Sequence, residues 1–341
     1  MGAGPWRAYI RSMDEVTIRT ILVPLDGSAF AERALPVAAA LARKLGASLH
    51  LVSVHDPASG FIDPATAAVA SVELDQEIWT AQEEYLDQQA GAAAGQGLTV
   101  VHELRTGEAA AELARYAEAG SIDLVVMTTH GRGGISRLWL GSVADRMARR
   151  SERPILLLRP DAAGTLDELL ADVLVPLDGS VRAESVLGLV TGLVRGAGTL
   201  HLINVVLPPF RFLPPPPPGI SYPESEPVQR SALYAYRYLR RLARPLREAG
   251  RQVATEAKIA SDPAAEILAY AARHRVGLVA IATHGRGGLD RWMMGSVADK
   301  VVRSGTAAVL VFPTHANDHE ELSAEYQAAK REPDPAEAGK E

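Results

Sequence analysis

LVPLDGS at residues 22–28 recurs unchanged at 174–180, and that repetition decides how the rest of the chain is read. Two further strings recur in the same order, HGRGG at 130–134 and 284–288, and GSVAD at 141–145 and 295–299. The first offset is 152 residues and the other two are 154, so one unit of about 150 residues was duplicated. That period is domain scale, far longer than a solenoid or propeller repeat. A length of 341 residues agrees with two domains of roughly 100–200 residues each.

Around these anchors each unit alternates strands and helices. ILVPL (21–25) is an apolar run of strand length, and residues 28–45 carry a helical stripe that Gly46 is placed to cap. LHLVSV (49–54), LTVVHEL (98–104), DLVVMTT (123–129) and PILLLR (154–159) read as further strands, with helices over 76–94, 108–119 and 142–150. In the second unit VLVPL (173–177), TLHLINV (199–205), GLVAIAT (277–283) and AVLVF (308–312) are the clearest strands. Wholly apolar strands alternating with helices predict parallel sheets covered by helices on both faces.

The expected organisation is an N-terminal extension (1–18), a first domain (19–160), a linker (161–171), a second domain (172–313) and a disordered, solvated tail (314–341) rich in Glu, Ala, Lys and Pro. Within the second domain, 208–227 is a Pro-rich loop holding five consecutive prolines at 214–218.

Composition excludes several chemistries. There is no cysteine, hence no disulfide, zinc–thiolate site, iron–sulfur cluster or cysteine nucleophile. A net charge of −6 argues against general nucleic-acid binding, which needs a basic surface. No apolar run approaches the roughly 20 residues of a membrane span, and the N-terminus lacks a signal-peptide core, so a cytoplasmic location is expected, with no membrane partner. There is no GxxxxGK[ST], no GxGxxG after the first strand and no GxSxG. His315 and His319 are spaced i, i+4 but fall in the tail, and no metal site is expected.

In a doubly wound sheet, ligands bind beyond the carboxyl ends of the strands, and the repeated motifs fall there. Asp26 and Asp178 close the first strand of each unit. Gly131, Gly133 and Gly134 allow close backbone approach, and their N–H groups suit an anion nest. Ser142, with Asp145 three residues on, reads as a capping box whose helix N-terminus suits phosphate, and Arg132 adds a charge. Gly285, Arg286, Gly287, Gly288, Ser296 and Asp299 repeat the pattern. His130 and His284 open the glycine loops. Each feature also has a purely structural reading, in which glycines make a turn, Asp and Ser cap a helix, and His stabilises the loop.

Together these strings resemble the universal stress protein family in its tandem-domain form, over about 21–160 and 172–313. The nucleotide-binding members carry Gly-x2-Gly-x9-Gly-(Ser/Thr). Gly131 precedes Gly141-Ser142 by nine intervening residues, and Gly285 precedes Gly295-Ser296 likewise; the opening glycine is Thr128 in one copy and Ala282 in the other. The resemblance implies an α/β fold of two Rossmann-like, adenine nucleotide alpha hydrolase-like, five-stranded parallel sheets of order 3-2-1-4-5. It implies ATP across strands one and four of each unit, with Mg2+ as a further option beside it. Asp26 and Asp178 match the acidic position near adenine, Pro24 and Pro176 its wall, and Val54 and Val205 a backbone contact to the base. Gly131, Gly134, Gly141, Ser142 and Val143 match the ribose and phosphate loop, as do Gly285, Gly288, Gly295, Ser296 and Val297. It also implies that ILLL (155–158) and VLVF (309–312) pair between the units as an intrachain pseudo-dimer, with a homodimer as a further option. An apolar edge strand needs such cover. The expected function is an ATP-binding regulator of the stress response. The alternatives are a nucleotide-free interaction scaffold, or an enzyme with at most weak ATP hydrolysis or autophosphorylation; no catalytic residues are assigned.

Overall fold

A computed structural model of the chain describes residues 18–56, 70–129, 140–159, 164–194, 198–208, 226–283, 294–313 and 323–331. The first repeat runs β1 (Thr20–Pro24), α1 (Ala29–Glu32), α2 (Ala34–Leu45), β2 (Ser48–His55), α3 (Ala70–Ala94), β3 (Val100–Thr106), α4 (Ala109–Ala119), β4 (Leu124–Thr128), α5 (Ser142–Arg150) and β5 (Ile155–Leu158). α6 (Leu166–Ala171) leads into β6 (Asp172–Pro176), α7 (Val181–Leu193), β7 (Thr199–Val206), α8 (Glu226–Glu248), β8 (Gln252–Ile259), α9 (Pro263–Arg273), β9 (Leu278–Ala282), α10 (Ser296–Ser304) and β10 (Ala308–Phe312). α11 (Ala324–Arg331) follows.

Local chemistry sets the boundaries. The single helix expected over 28–45 is two pieces that meet at Arg33. α2 buries Ala34, Val37, Ala38, Leu41 and Ala42, one face at helical spacing, and ends on Gly46, whose φ of 69° lets its N–H donate back to Ala42 O. β4 and β9 are buried along their whole length, as strands covered on both faces must be.

Two compact units result, one from residues 17–167 with 306–313, the other from 168–305 with 1–16 and 314–341. In the first unit the strand order is β3-β2-β1-β4-β5-β10. Its first five strands are parallel in the expected order 3-2-1-4-5. β10 is antiparallel to β5, with Val309 opposite Leu157, Leu310 opposite Leu156 and Val311 opposite Ile155. In the second unit β8, β7, β6 and β9 are parallel neighbours in that order.

The packing therefore divides the chain differently from the repeat. β10 belongs to the second repeat in sequence but to the first unit in space. Its partner β5 is buried at all four residues, and without β10 that apolar edge would be open. Residues 166–171, placed in a linker by sequence, form α6, which buries Leu166, Leu169 and Leu170.

The reading of 314–341 as a disordered tail needs correction at α11. Ala, Lys and Arg are good helix formers, and Ser323, just before the helix, is buried and donates its N–H to Gly179 O at 2.8 Å. Residues 209–225 of the Pro-rich loop, His315, His319 and nearly all of the N-terminal extension lie outside the described residues. No helix among the described residues is long and apolar enough to cross a membrane.

Candidate nucleotide site

The Asp-Gly-Ser turn is built identically in both repeats. Asp178 Oδ1 accepts from Ser180 N at 2.9 Å and Ser180 Oγ at 2.6 Å, and Ser180 Oγ accepts from Ala183 N at 3.1 Å at the start of α7. Asp26, Ser28 and Ala31 repeat this at 2.9, 2.6 and 3.2 Å. Gly179 (φ 86°) and Gly27 (φ 77°) take the left-handed conformation between them, which L side chains disfavour. Both aspartates thus carry the structural duty foreseen for them. Asp178 also lines a cavity described below.

The second anchor sits after β4 and β9. Gly141 N donates to Thr129 O, and Gly295 N to Thr283 O, each at 2.7 Å, so the two ends of each glycine loop are tied together. Here the expected capping box is absent. Gly141 and Gly295 are the N-caps and make no side-chain cap bond; Ser142 and Ser296 are the first helical residues. Asp145 and Asp299 bond instead to Arg149 and Arg303 one turn on. A glycine cap has no side chain to satisfy the first-turn amides, which leaves them for an outside acceptor.

These elements converge on one cleft of about 720 Å³ in the second repeat. Its wall takes Pro176 and Asp178 from the end of β6, Val205 from β7, Ala282 from β9, and Gly295, Ser296 and Val297 from the start of α10. The volume lies within the usual range for small-molecule sites, about 300–1,000 Å³.

Five further polar residues line this cleft and were not foreseen: Asn204, Ser261, Asp262, Thr283 and Lys300. Asp262 caps α9 through Ala265 N at 3.0 Å and pairs with Lys300, whose ammonium holds the carboxyl below its ordinary value. Glu108 and Arg146, each 154 positions earlier, repeat the arrangement: Glu108 accepts from Ala111 N at 3.0 Å and from Arg146 at 2.5 Å. The preserved charges at a constant offset were a legible signal, hidden because neither pair lies in an identical string.

The model of the universal stress protein family matches this chain twice, over residues 17–159 and 171–313. The chain belongs to that family. A universal stress protein of Methanocaldococcus jannaschii is 31% identical over 142 residues, which cover 41% of this chain and 82% of the relative. One from Mycobacterium tuberculosis is 27% identical over 193 residues, so this chain spans 61% of that relative's length. A crystal structure of a universal stress protein from Archaeoglobus fulgidus superposes with a TM-score of 0.62 at 19% identity, covering 86% of this chain and 97% of the other. It supports the fold.

The two universal stress protein repeats differ at the end of the second strand. In the second repeat Asn204 and Val206 stand there; in the first, Ser53 and His55. His55 is buried, with Nδ1 2.9 Å from Gln82 Oε1 and Nε2 2.8 Å from Asp75 Oδ1, and Trp79 meets the ring edge-on. All three partners lie on α3, so this helix is latched onto the end of β2. Pro24, Asp26, Val54, Thr128, Gly141, Ser142 and Val143 otherwise match their counterparts in burial class. His130, Gly131, Arg132 and Gly134, with His284, Gly285, Arg286 and Gly288, lie outside the described residues.

Proposed function

We propose that this tandem universal stress protein is a cytoplasmic regulator that binds an adenine nucleotide, with ATP the expected ligand, and that the cleft of the second repeat is its best-formed site. The observation that carries the reading is the lining: every described candidate of the second repeat (Pro176, Asp178, Val205, Ala282, Gly295, Ser296, Val297) borders one cleft of nucleotide size. The base would lie against Pro176 and Val205, close to Asp178. The phosphates would lie at the start of α10, where backbone N–H groups and the positive end of the helix dipole favour an anion. Lys300 would add a cation there, and Mg2+ would accompany the phosphates.

Binding rather than rapid turnover is the reading, because both carboxylates at the cleft already hold the fold. Asp178 is engaged by Ser180, and Asp262 by Ala265 and Lys300. Phosphoryl transfer asks for carboxylates disposed around a metal and a nucleophile. The nucleotide would shift a partner-binding equilibrium.

The test is thermal unfolding of nucleotide-stripped protein with ATP, ADP, AMP and cyclic AMP. A ligand at 100 times its Kd stabilises by about 2.7 kcal/mol. In a domain of this size that raises Tm by roughly 5–10 °C. No shift with any of the four at millimolar concentration overturns the proposal.

A further inference from the structure

The long helices that follow the second strand of each repeat have opposite charge. α3 carries Glu73, Asp75, Glu77, Glu83, Glu84 and Asp87 and no Lys or Arg. α8, its counterpart, carries Arg230, Arg237, Arg240, Arg241, Arg244 and Arg247, with acids only at its two ends, Glu226 and Glu248. Duplication made the two helices from one sequence, so the divergence in sign arose afterwards.

Each helix buries one face and presents the other to solvent. α8 buries Ala235, Tyr238, Leu239, Leu242 and Leu246 at helical spacing. Tyr236, Arg240 and Arg244, an i, i+4, i+8 row, are exposed, with Arg240 over the Tyr236 ring at 5.7 Å and the Arg244 side chain 79% exposed. α3 buries Leu86, Ala90 and Ala93. It exposes Glu77, Glu83, Glu84 and Asp87, together with two large apolar side chains one turn apart, Leu74 (56%) and Ile78 (41%). The α8 surface is an aromatic followed by two cations, the second paired with Glu248 at 2.8 Å; on α3 the aliphatic pair has Glu77 beside it, with Glu84 two turns along the same stripe.

We propose that the exposed row of α8 docks on α3 of a second copy of this chain. Charge complementarity names the occupant. Like surfaces repel, so α8 rejects α8 and α3 rejects α3, while the net charge of −6 keeps other orientations apart. A nucleic acid would meet the same arginines, but on a body of its own sign. The contact joins two different surfaces, so it either closes as a reciprocal pair or extends as a chain. A helix pair buries less than the roughly 1,600 Å² of a stable interface, which makes the association weak and concentration-dependent.

Sedimentation equilibrium of the full chain tests this at about 10 mM and about 1 M salt, where Debye lengths are roughly 30 and 3 Å. The expected result is an average mass that rises with concentration at low salt, and a loss of that rise at high salt. Arg240→Glu with Arg244→Glu should abolish the salt-dependent rise, and so should Glu83→Arg with Glu84→Arg. An equimolar mixture of the two variants, or one chain carrying all four changes, should regain it. Matching melting curves establish that the exposed substitutions leave the fold intact. A mass independent of salt overturns the proposal, as does a rise that survives the α8 reversal or fails to return in the four-fold variant. Duplex DNA or anionic vesicles bound through Arg240 and Arg244, without self-association, also overturns it.

Discussion

Lys300 and Asp262 form an ion pair at the wall of the cleft, and the same carboxylate caps α9 through Ala265 N at 3.0 Å. A nucleotide phosphate would compete with Asp262 for that ammonium. Lys300→Ala is therefore expected to weaken ATP binding roughly fivefold, the value of about 1 kcal/mol for a half-exposed charge contact, and to leave adenosine unaffected. Isothermal titration with both ligands decides it. An equal loss for adenosine would show that Lys300 acts through the shape of the cleft and not through charge.

Ser296 separates binding from stability. As the first residue of α10 it borders the cleft and makes no cap bond. Ser296→Asp places a carboxylate where phosphate is expected, yet at a helix position that favours acids by about 0.3–1 kcal/mol. Tm without ligand should hold or rise slightly, while the ATP-induced shift disappears. A retained ATP shift would place the phosphates elsewhere.

Two glycines should respond to alanine with opposite signs. A Cβ on Gly277 would stand 2.6 Å from Glu168 O and 2.7 Å from Leu169 O, backbone atoms of the helix before β6. Gly277→Ala should cost about 1–3 kcal/mol. Gly91 lies in exposed α3 with nothing within 4 Å of its Cβ position, so Gly91→Ala should stabilise by about 0.5–1 kcal/mol. Urea denaturation of the two variants checks both signs.

Acid sensitivity has an identifiable contributor. Burial holds the His50 imidazole below its ordinary value of 6.5, partly opposed by Glu103, and its Nδ1 lies 2.9 Å from the Tyr116 hydroxyl. A neutral ring can accept from that hydroxyl, whose own pKa burial raises above the ordinary 10. The folded state therefore binds the proton less tightly than the unfolded chain. This contribution is fully present above about pH 6.5 and is lost as pH falls through that value toward the lower folded one. His50→Gln, which keeps an acceptor for Tyr116, should flatten the fall in Tm between pH 7 and pH 5. Glu112 does not confound that window. Burial raises its pKa, but Arg105 and Arg115 together hold it below 4.5, so its loss begins at lower pH. A variant with an unchanged slope would assign the acid sensitivity to other groups.

Much of the fold was legible because two copies of one pattern constrain each other. LVPLDGS located β1 and β6, and buried runs such as LVVM revealed themselves by being apolar throughout. The capping misreading at Ser142 has a simple cause. Serine followed by an acid three residues on is the usual start signal, but the glycine before it takes the cap and Asp145 turns to Arg149. The Asp262–Lys300 pair escaped notice because its members come from different elements, 38 residues apart, and only folding brings them together. α11 was missed because composition alone reports solvation and says nothing of Ser323 reaching Gly179.

The exchange of β10 between repeat and unit has a consequence for synthesis on the ribosome. Residues 17–167 are translated as a complete ancestral module, yet their packed unit takes its last strand from 306–313. During translation the apolar edge of β5 must wait for nearly the whole second repeat to emerge. A chain cut short before residue 306 would leave that apolar edge uncovered.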